Sequence, residues 1–305
     1  MAPIPQPRFI DCNTHPDLLA GWPVAATVRA SETAEALLLD LDDNWLLHGA
    51  DLDGPNGTNV GYTIDPEERI ITVDTGGLAF AAILRSSYFQ NVLTLRTLAA
   101  LRAAWQAERA DDASDMHRID VWPLLNRVLA ADISVMTLRM AYELRAEQID
   151  QVWRHAMGDD NGDMCADYLR TLNRTPEHDD DMAALGDGFL QWFEKETRVS
   201  KCDFETLAGM DADLAANDLT FDGRGQVGEG ALKCLTIDPL TGSSYLGPIA
   251  SEIASNPAWR GIENPVAEAH FSQIMDEIGS TRVGNVQMRD RKLAERLFPD
   301  LLIQA

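Results

Sequence analysis

The sequence predicts an α+β protein, mainly helical, in which a small antiparallel sheet packs on long helices. Three observations carry that expectation. From Val121 to Arg154 apolar residues recur at steps of three and four, at Leu125, Val128, Leu129, Ile133, Met136, Met140, Leu144 and Val152, as on one face of an amphipathic helix. A second long helical pattern covers Leu78–Gln90 and Val92–Gln106, as one helix or two linked ones. The clearest β signal is a pair of partly alternating, β-branched runs, Gly61–Asp65 and Arg69–Asp74, on either side of Pro66-Glu67-Glu68.

The remaining elements follow from punctuation. Residues 1–30 are broken by prolines, and His15-Pro16 and Trp22-Pro23 disfavour helix before each proline. Ser31 opens a helix with Glu32 in its first turn, where an acid suits the dipole, and an Ala/Leu-rich run carries it on to about His48. Asp51–Asn59 is a turn cluster with acids at alternate positions. Pro55 and Tyr62 stand where a calcium loop needs an oxygen ligand and its closing glutamate, so a surface turn is expected. Asp74-Thr75-Gly76-Gly77 ends the second strand, Asp111–Asp115 makes a polar loop, and Gly158–Asp163 breaks the second helical region. Helices are expected at 181–196, 204–216 and 264–279, loops at Glu177–Asp181 and Thr220–Gly230, and short strands at Leu232–Ile237 and Gly284–Met288. This divides the chain into an N-terminal segment and helix (1–60), a core (61–200) and a C-terminal helical layer (201–305). The whole can also form one continuous domain. The connection Lys195–Asp203 is the best boundary, although it lacks linker composition.

Composition narrows the function classes. The 305 residues carry 25 Lys+Arg against 49 Asp+Glu, a net charge of −24. That balance opposes nucleic acid, which needs a basic patch, and anionic membranes. The lysines are Lys195, Lys201, Lys233 and Lys292, so arginine supplies most of the positive charge. Cys12, Cys165, Cys202 and Cys234 form no C-x-x-C pair, so reduced cysteines in a cytoplasmic protein are expected. Met1–Arg8 has three prolines and no apolar core of a signal peptide, and no run reaches the roughly 20 apolar residues of a membrane span.

The chemistry-bearing stretch is Leu98-Ala99-Ala100-Leu101-Arg102-Ala103-Ala104-Trp105-Gln106. Arg102-x-Ala104-Trp105-Gln106 resembles, in register, the end of an H-E-x-R-H-A-W-Q helix, and Leu129-Ala130-Ala131-Asp132-Ile133 resembles an acidic E-A-D-A-like segment on a following helix. Together they resemble a bacterial metallopeptidase family with a zincin-like core, over roughly residues 60–160. In such a helix two histidines four residues apart face one zinc, the glutamate between them is the base for the bound water, and an acid from the next helix completes the site. The resemblance therefore implies a zinc enzyme in relatives. Here the ligand and base positions are Ala99, Ala100, Ala103 and Ala130, and a methyl group neither binds metal nor moves a proton. Plain close packing of an Ala-rich helix accounts for the same alanines, with Trp105 as a core aromatic and Arg102 as a surface or paired cation.

Other ligand-type residues are scattered. No two of His15, His48, His117, His155, His178 and His270 are four apart. His155, Asp159, Asp160, Asp163 and Cys165 crowd an Asn161-Gly162 turn, where a solvated acidic turn outweighs a cation site. Asp179, Asp180 and Asp181, beside His178, suit the positive end of the next helix, and Glu143 is an ion-pair candidate for Arg139. Gly223–Gly228 lacks the strand and lysine of a phosphate loop, and Cys12-x-x-His15 sits in extended chain. The reading is a pseudo-zincin without cofactor, leaning away from enzyme, which binds a protein, peptide or small ligand in a cleft of Arg102, Trp105, Gln106 and Asp132. The strand Arg69–Asp74 would offer an edge for strand addition. The alternatives are an active hydrolase with ligands drawn from Asp132, Glu143, His117 or His155, and an acidic interaction protein unrelated to peptidases.

Overall fold

The computed structural model describes residues 17–41, 43–52, 61–110, 119–174, 181–216, 227–283 and 286–298. Cys12, His15, most of the Asp51–Asn59 turn, the 111–115 loop, His117, the His178–Asp180 run and Gly223–Gln226 lie outside them. The chain forms two compact units, one of Met1–Ala113, Ala131–Glu194 and Lys233–Gly247, the other of Ser114–Ala130, Lys195–Leu232 and Pro248–Ala305.

The first unit opens with helices α1 (Ala25–Arg29) and α2 (Glu32–Asp40). Ser31 caps α2 by accepting from the Ala34 amide at 3.1 Å, with Glu32 and Glu35 in the first turn. The chain then turns extended at Leu41 and forms strand β1 (Leu46–Ala50), where the sequence pattern continues as helix. Strands β2 (Tyr62–Asp65) and β3 (Ile70–Asp74) pair antiparallel, as the hairpin pattern predicts. β1 adds parallel to β3, with Leu47 opposite Ile71 and Gly49 opposite Val73. The sheet order is therefore β1-β3-β2, a mixed sheet rather than an antiparallel one. β3 is its centre, so the Arg69–Asp74 strand has no free edge to offer a peptide. Gly76 and Gly77 follow with φ of 59° and 69°, a left-handed turn that glycine makes without strain.

Helix α3 (Phe80–Ile83) leads into α4 (Ser87–Ala110). Helix α5 (Trp122–Ala146) starts after a 3-10 turn, with Pro123 in its first turn, where a missing amide costs nothing. It contributes residues up to Ala130 to the second unit and from Ala131 to the first. It ends at Gln148 (φ 63°), whose amide bonds Arg145 O while Ile149 bonds Leu144 O. The stretch Ile119–Ala146 is long and apolar enough to cross a membrane, but 67% of its most apolar window is buried, as in a core helix. Helices α6 (Asp150–Met157), α7 (Gly162–Arg174) and α8 (Asp181–Phe193) complete the unit. A core of Trp22, Leu37, Leu47, Ile71, Val73, Leu98, Leu101, Ala104, Trp105 and Met140 binds the sheet to α2, α4 and α5. Burying each large side chain there contributes about 1.5–3 kcal/mol.

The second unit contains α9 (Glu196–Ala216), most of α10 (Glu229–Leu235), α11 (Pro248–Ser255), α12 (Pro265–Gly279), strands β4 (Thr281–Val283) and β5 (Val286–Met288), and α13 (Arg291–Leu297). Leu207 and Met210 of α9 pack with Ile274 and Ile278 of α12. The predicted strand Leu232–Ile237 is instead helical to Leu235, and only Ile237 makes a β-bridge, with Ser244.

Candidate functional site

The two motif segments meet inside the first unit. Arg102 and Gln106 lie one turn apart on α4, so both reach the same point on α5. There the Asp132 carboxylate accepts from Arg102 Nε at 2.6 Å and Nη2 at 2.9 Å, and from Gln106 Nε2 at 2.6 Å. The Tyr245 hydroxyl donates a further bond at 2.8 Å. Arg102 Nη2 also bonds the Leu235 carbonyl at 3.2 Å, while Nη1 is buried without a hydrogen-bond acceptor. Arg102 and Asp132 have no exposed side-chain surface. The cluster is a bidentate, charge-assisted pair walled off from water.

Trp105 extends this network outward. Its ring lies between two guanidinium groups, with Arg102 Cζ at 4.2 Å and Arg109 Cζ at 3.7 Å from the ring centroid. Its indole Nε1 donates to Asp40 Oδ2 at 2.8 Å, and Arg109 bonds the same carboxylate. The motif helix is thus tied to the end of α2 as well as to α5.

Electrostatics hold these protonation states in opposition. Complete burial pushes the Asp132 carboxyl above the ordinary carboxylate range. The charge and hydrogen bonds of Arg102, with the bonds from Tyr245 and Gln106, pull it back down. Burial and the neighbouring Asp132 raise the Tyr245 hydroxyl well above its usual value, so it stays a donor.

The predicted cleft residues are therefore brought together, but they do not line an opening. Arg102, Trp105, Gln106 and Asp132 are each at most 3% exposed, and their polar atoms bond one another. Ala100 is fully buried, while Ala99 and Ala103 are half-buried beside the network and Ala130 is half-buried on α5. Four methyl groups and a carboxylate already held by three side chains do not fit a zinc ion. Among the described residues no group of three or more His, Cys, Asp and Glu side chains could hold a metal.

A second polar centre lies further along α5. Arg139 contacts Asp181 at 2.6 Å, Asp238 at 2.6 Å and Glu143 at 3.2 Å. The Glu143–Arg139 pair is the one that i, i+4 spacing predicts, and Glu143 also accepts from the Thr33 amide and the Ser31 and Thr33 hydroxyls at the start of α2. Asp181 is the first residue of α8 and accepts from Tyr168. The sequence reading missed Asp238 and Tyr245, both in a stretch with no motif. Nothing in the local pattern distinguishes Tyr245, 113 residues from its partner Asp132. His155 stacks on Tyr88 with ring centroids 5.1 Å apart. Cys165 is buried, and its thiol is pushed up to about 12 by that burial and by Asp163 and Asp159.

This arrangement defines a helical α+β protein whose two motif helices are joined by an internal ion pair. Residues 83–220, a segment that holds α4 and α5, match the model of a family described as "Putative metallopeptidase family". No curated protein and no solved structure matches the chain.

Proposed function

We propose that this protein is a metallopeptidase-like scaffold without a zinc site of its own, which acts by binding a peptide or small ligand. One observation carries the reading. Asp132, which matches the aspartate of the resembled acidic segment, has both oxygens occupied by Arg102, Gln106 and Tyr245. Methyl groups stand at the ligand and base positions that the resemblance implies, Ala99, Ala100, Ala103 and Ala130. The same reading places the protein in the cytoplasm, where its dispersed cysteines stay reduced. The binding surface does not include Arg102, Gln106 and Asp132, whose polar atoms bond one another in the buried network.

Elemental analysis of the purified chain after dialysis tests the reading, together with hydrolysis of a casein substrate with and without added zinc. We expect substoichiometric zinc and no zinc-dependent cleavage. One zinc per chain that survives dialysis, accompanied by cleavage that a chelator abolishes, would overturn it.

A further inference from the structure

An open cavity of the first unit lies beside the Arg139 centre and is lined by none of Arg102, Trp105, Gln106 and Asp132. It encloses about 940 Å³, within the range of ligand sites, between the second half of α5, α6, α7 and the start of α2. Tyr142, Trp153, Leu169 and Leu172 are apolar residues of its lining, and Arg139, Glu143 and Asp181 line it too.

The charges there do not balance. Three carboxylates, Glu143, Asp181 and Asp238, share the one guanidinium of Arg139. All three are served by other donors, Asp181 by the fewest. Asp238 accepts from the Leu240 amide and the Thr241 hydroxyl, and Glu143 from Ser31 and Thr33. Asp181 has the Tyr168 hydroxyl besides its share of Arg139, and its side chain is 25% exposed. Glu32 adds a fourth acid at the mouth. The other rim cations are engaged: Arg154 pairs with Asp150, and Arg145 lies over the Tyr142 ring at 4.9 Å from its centroid. An anionic ligand would meet a base of acids around an arginine that already faces three of them. A cation would supply the missing charge.

We propose that this cavity takes a lysine or arginine side chain of a peptide, with its cationic head against Asp181 and its aliphatic stem along Tyr142, Leu169 and Leu172. This rests on the reading of the protein as a peptide binder and names the class of peptide. The charge of −24 draws such a ligand in from a distance. Burial holds the Asp181 carboxyl above the ordinary carboxylate range, with Glu143 and Asp238 adding to the effect against Arg139 and Tyr168. A bound cation relieves that imbalance.

Calorimetric titration of the full chain with acetyl-Ala-Lys-Ala-amide, and with the same peptide carrying Glu or Ala at its centre, tests the proposal. Salt at about 0.15 M screens diffuse surface attraction beyond roughly 8 Å. The lysine peptide is expected to bind one to one, about tenfold or more tighter than the alanine peptide, with no heat from the glutamate peptide. Asp181→Asn and Leu172→Arg should each weaken it about tenfold or more. Asp211→Asn, at the His270 pair of the second unit, should leave it unchanged. If Asp181→Asn does not fold, Leu172→Arg with a native circular dichroism spectrum decides. Absence of lysine-peptide binding, or full binding by the cavity variants, overturns the proposal. Equal binding of all three peptides that Leu172→Arg abolishes also overturns it, yet leaves the binding role standing. Zinc-dependent cleavage, read in the separate assay, is what removes that role.

Discussion

Arg102 carries a full charge into the interior of the first unit, and Asp132 is the only carboxylate that the described contacts place on it. Removing one partner of a buried pair strands the other, which costs about 3–5 kcal/mol, whereas an apolar replacement of both can be neutral or better. Asp132→Ala should therefore lower stability by about 3–5 kcal/mol, and the double variant Arg102→Met/Asp132→Leu should recover most of that loss. Urea unfolding of the two variants measures the difference. A double variant as unstable as the single one would mean that the network does more than neutralise charge. Tyr245→Phe leaves the pair intact and removes one bond to a charged acceptor, for a smaller loss of about 1.5–3 kcal/mol.

At the scale of elements, α5 and α8 approach so closely that side-chain volume sets their separation. A methyl group added at Gly188 would lie 2.8 Å from Val135 Cγ2. Gly188→Ala should destabilise by about 1–3 kcal/mol through overpacking. Adding Val135→Ala frees that space, so the double variant should melt above Gly188→Ala alone. The same melt with both variants would place the strain elsewhere. Elements were legible where one pattern ran long enough to dominate. The α5 stripe and the β2–β3 hairpin show in the sequence because each satisfies its own periodicity with local neighbours. β1 does not, because Trp45-Leu46-Leu47 follows an Ala/Leu-rich helix without a proline or glycine between them. Its state is decided by β3, which offers a parallel partner more than twenty residues away.

The pH dependence of stability belongs to the whole molecule, where a net charge of −24 meets a few buried acids. Asp181 has its folded pKa raised, first by burial. An acid of that kind holds its proton more tightly folded than unfolded. Its stabilising contribution is complete below the unfolded pKa and is lost as pH rises through the folded one. The wild type should therefore lose stability relative to Asp181→Asn as pH rises from acid toward neutral. Urea midpoints of both proteins across that range check the sign. A constant difference between the two curves would show that the folded and unfolded pKa values coincide.

The sequence by itself determined the helical α+β class, the hairpin, and the alanines at positions 99, 100 and 103 of α4. Those are properties of residue type and short-range spacing: alanine has no donor atom in any fold, and amphipathic periodicity survives without knowledge of the partner surface. Only the tertiary structure decided what stands in place of a metal site. Arg102, Gln106, Asp132 and Tyr245 come from three separated stretches, and Tyr245 lies in one with no motif. Burial turned the expected cleft into a closed ion pair, because a charge removed from water must find its counter-charge wherever the chain brings one. An open cavity lies along the far half of α5, where three carboxylates converge on Arg139. That convergence joins α5 to the start of α8 and to Asp238 after α10, a placement that long-range packing sets and local spacing does not encode.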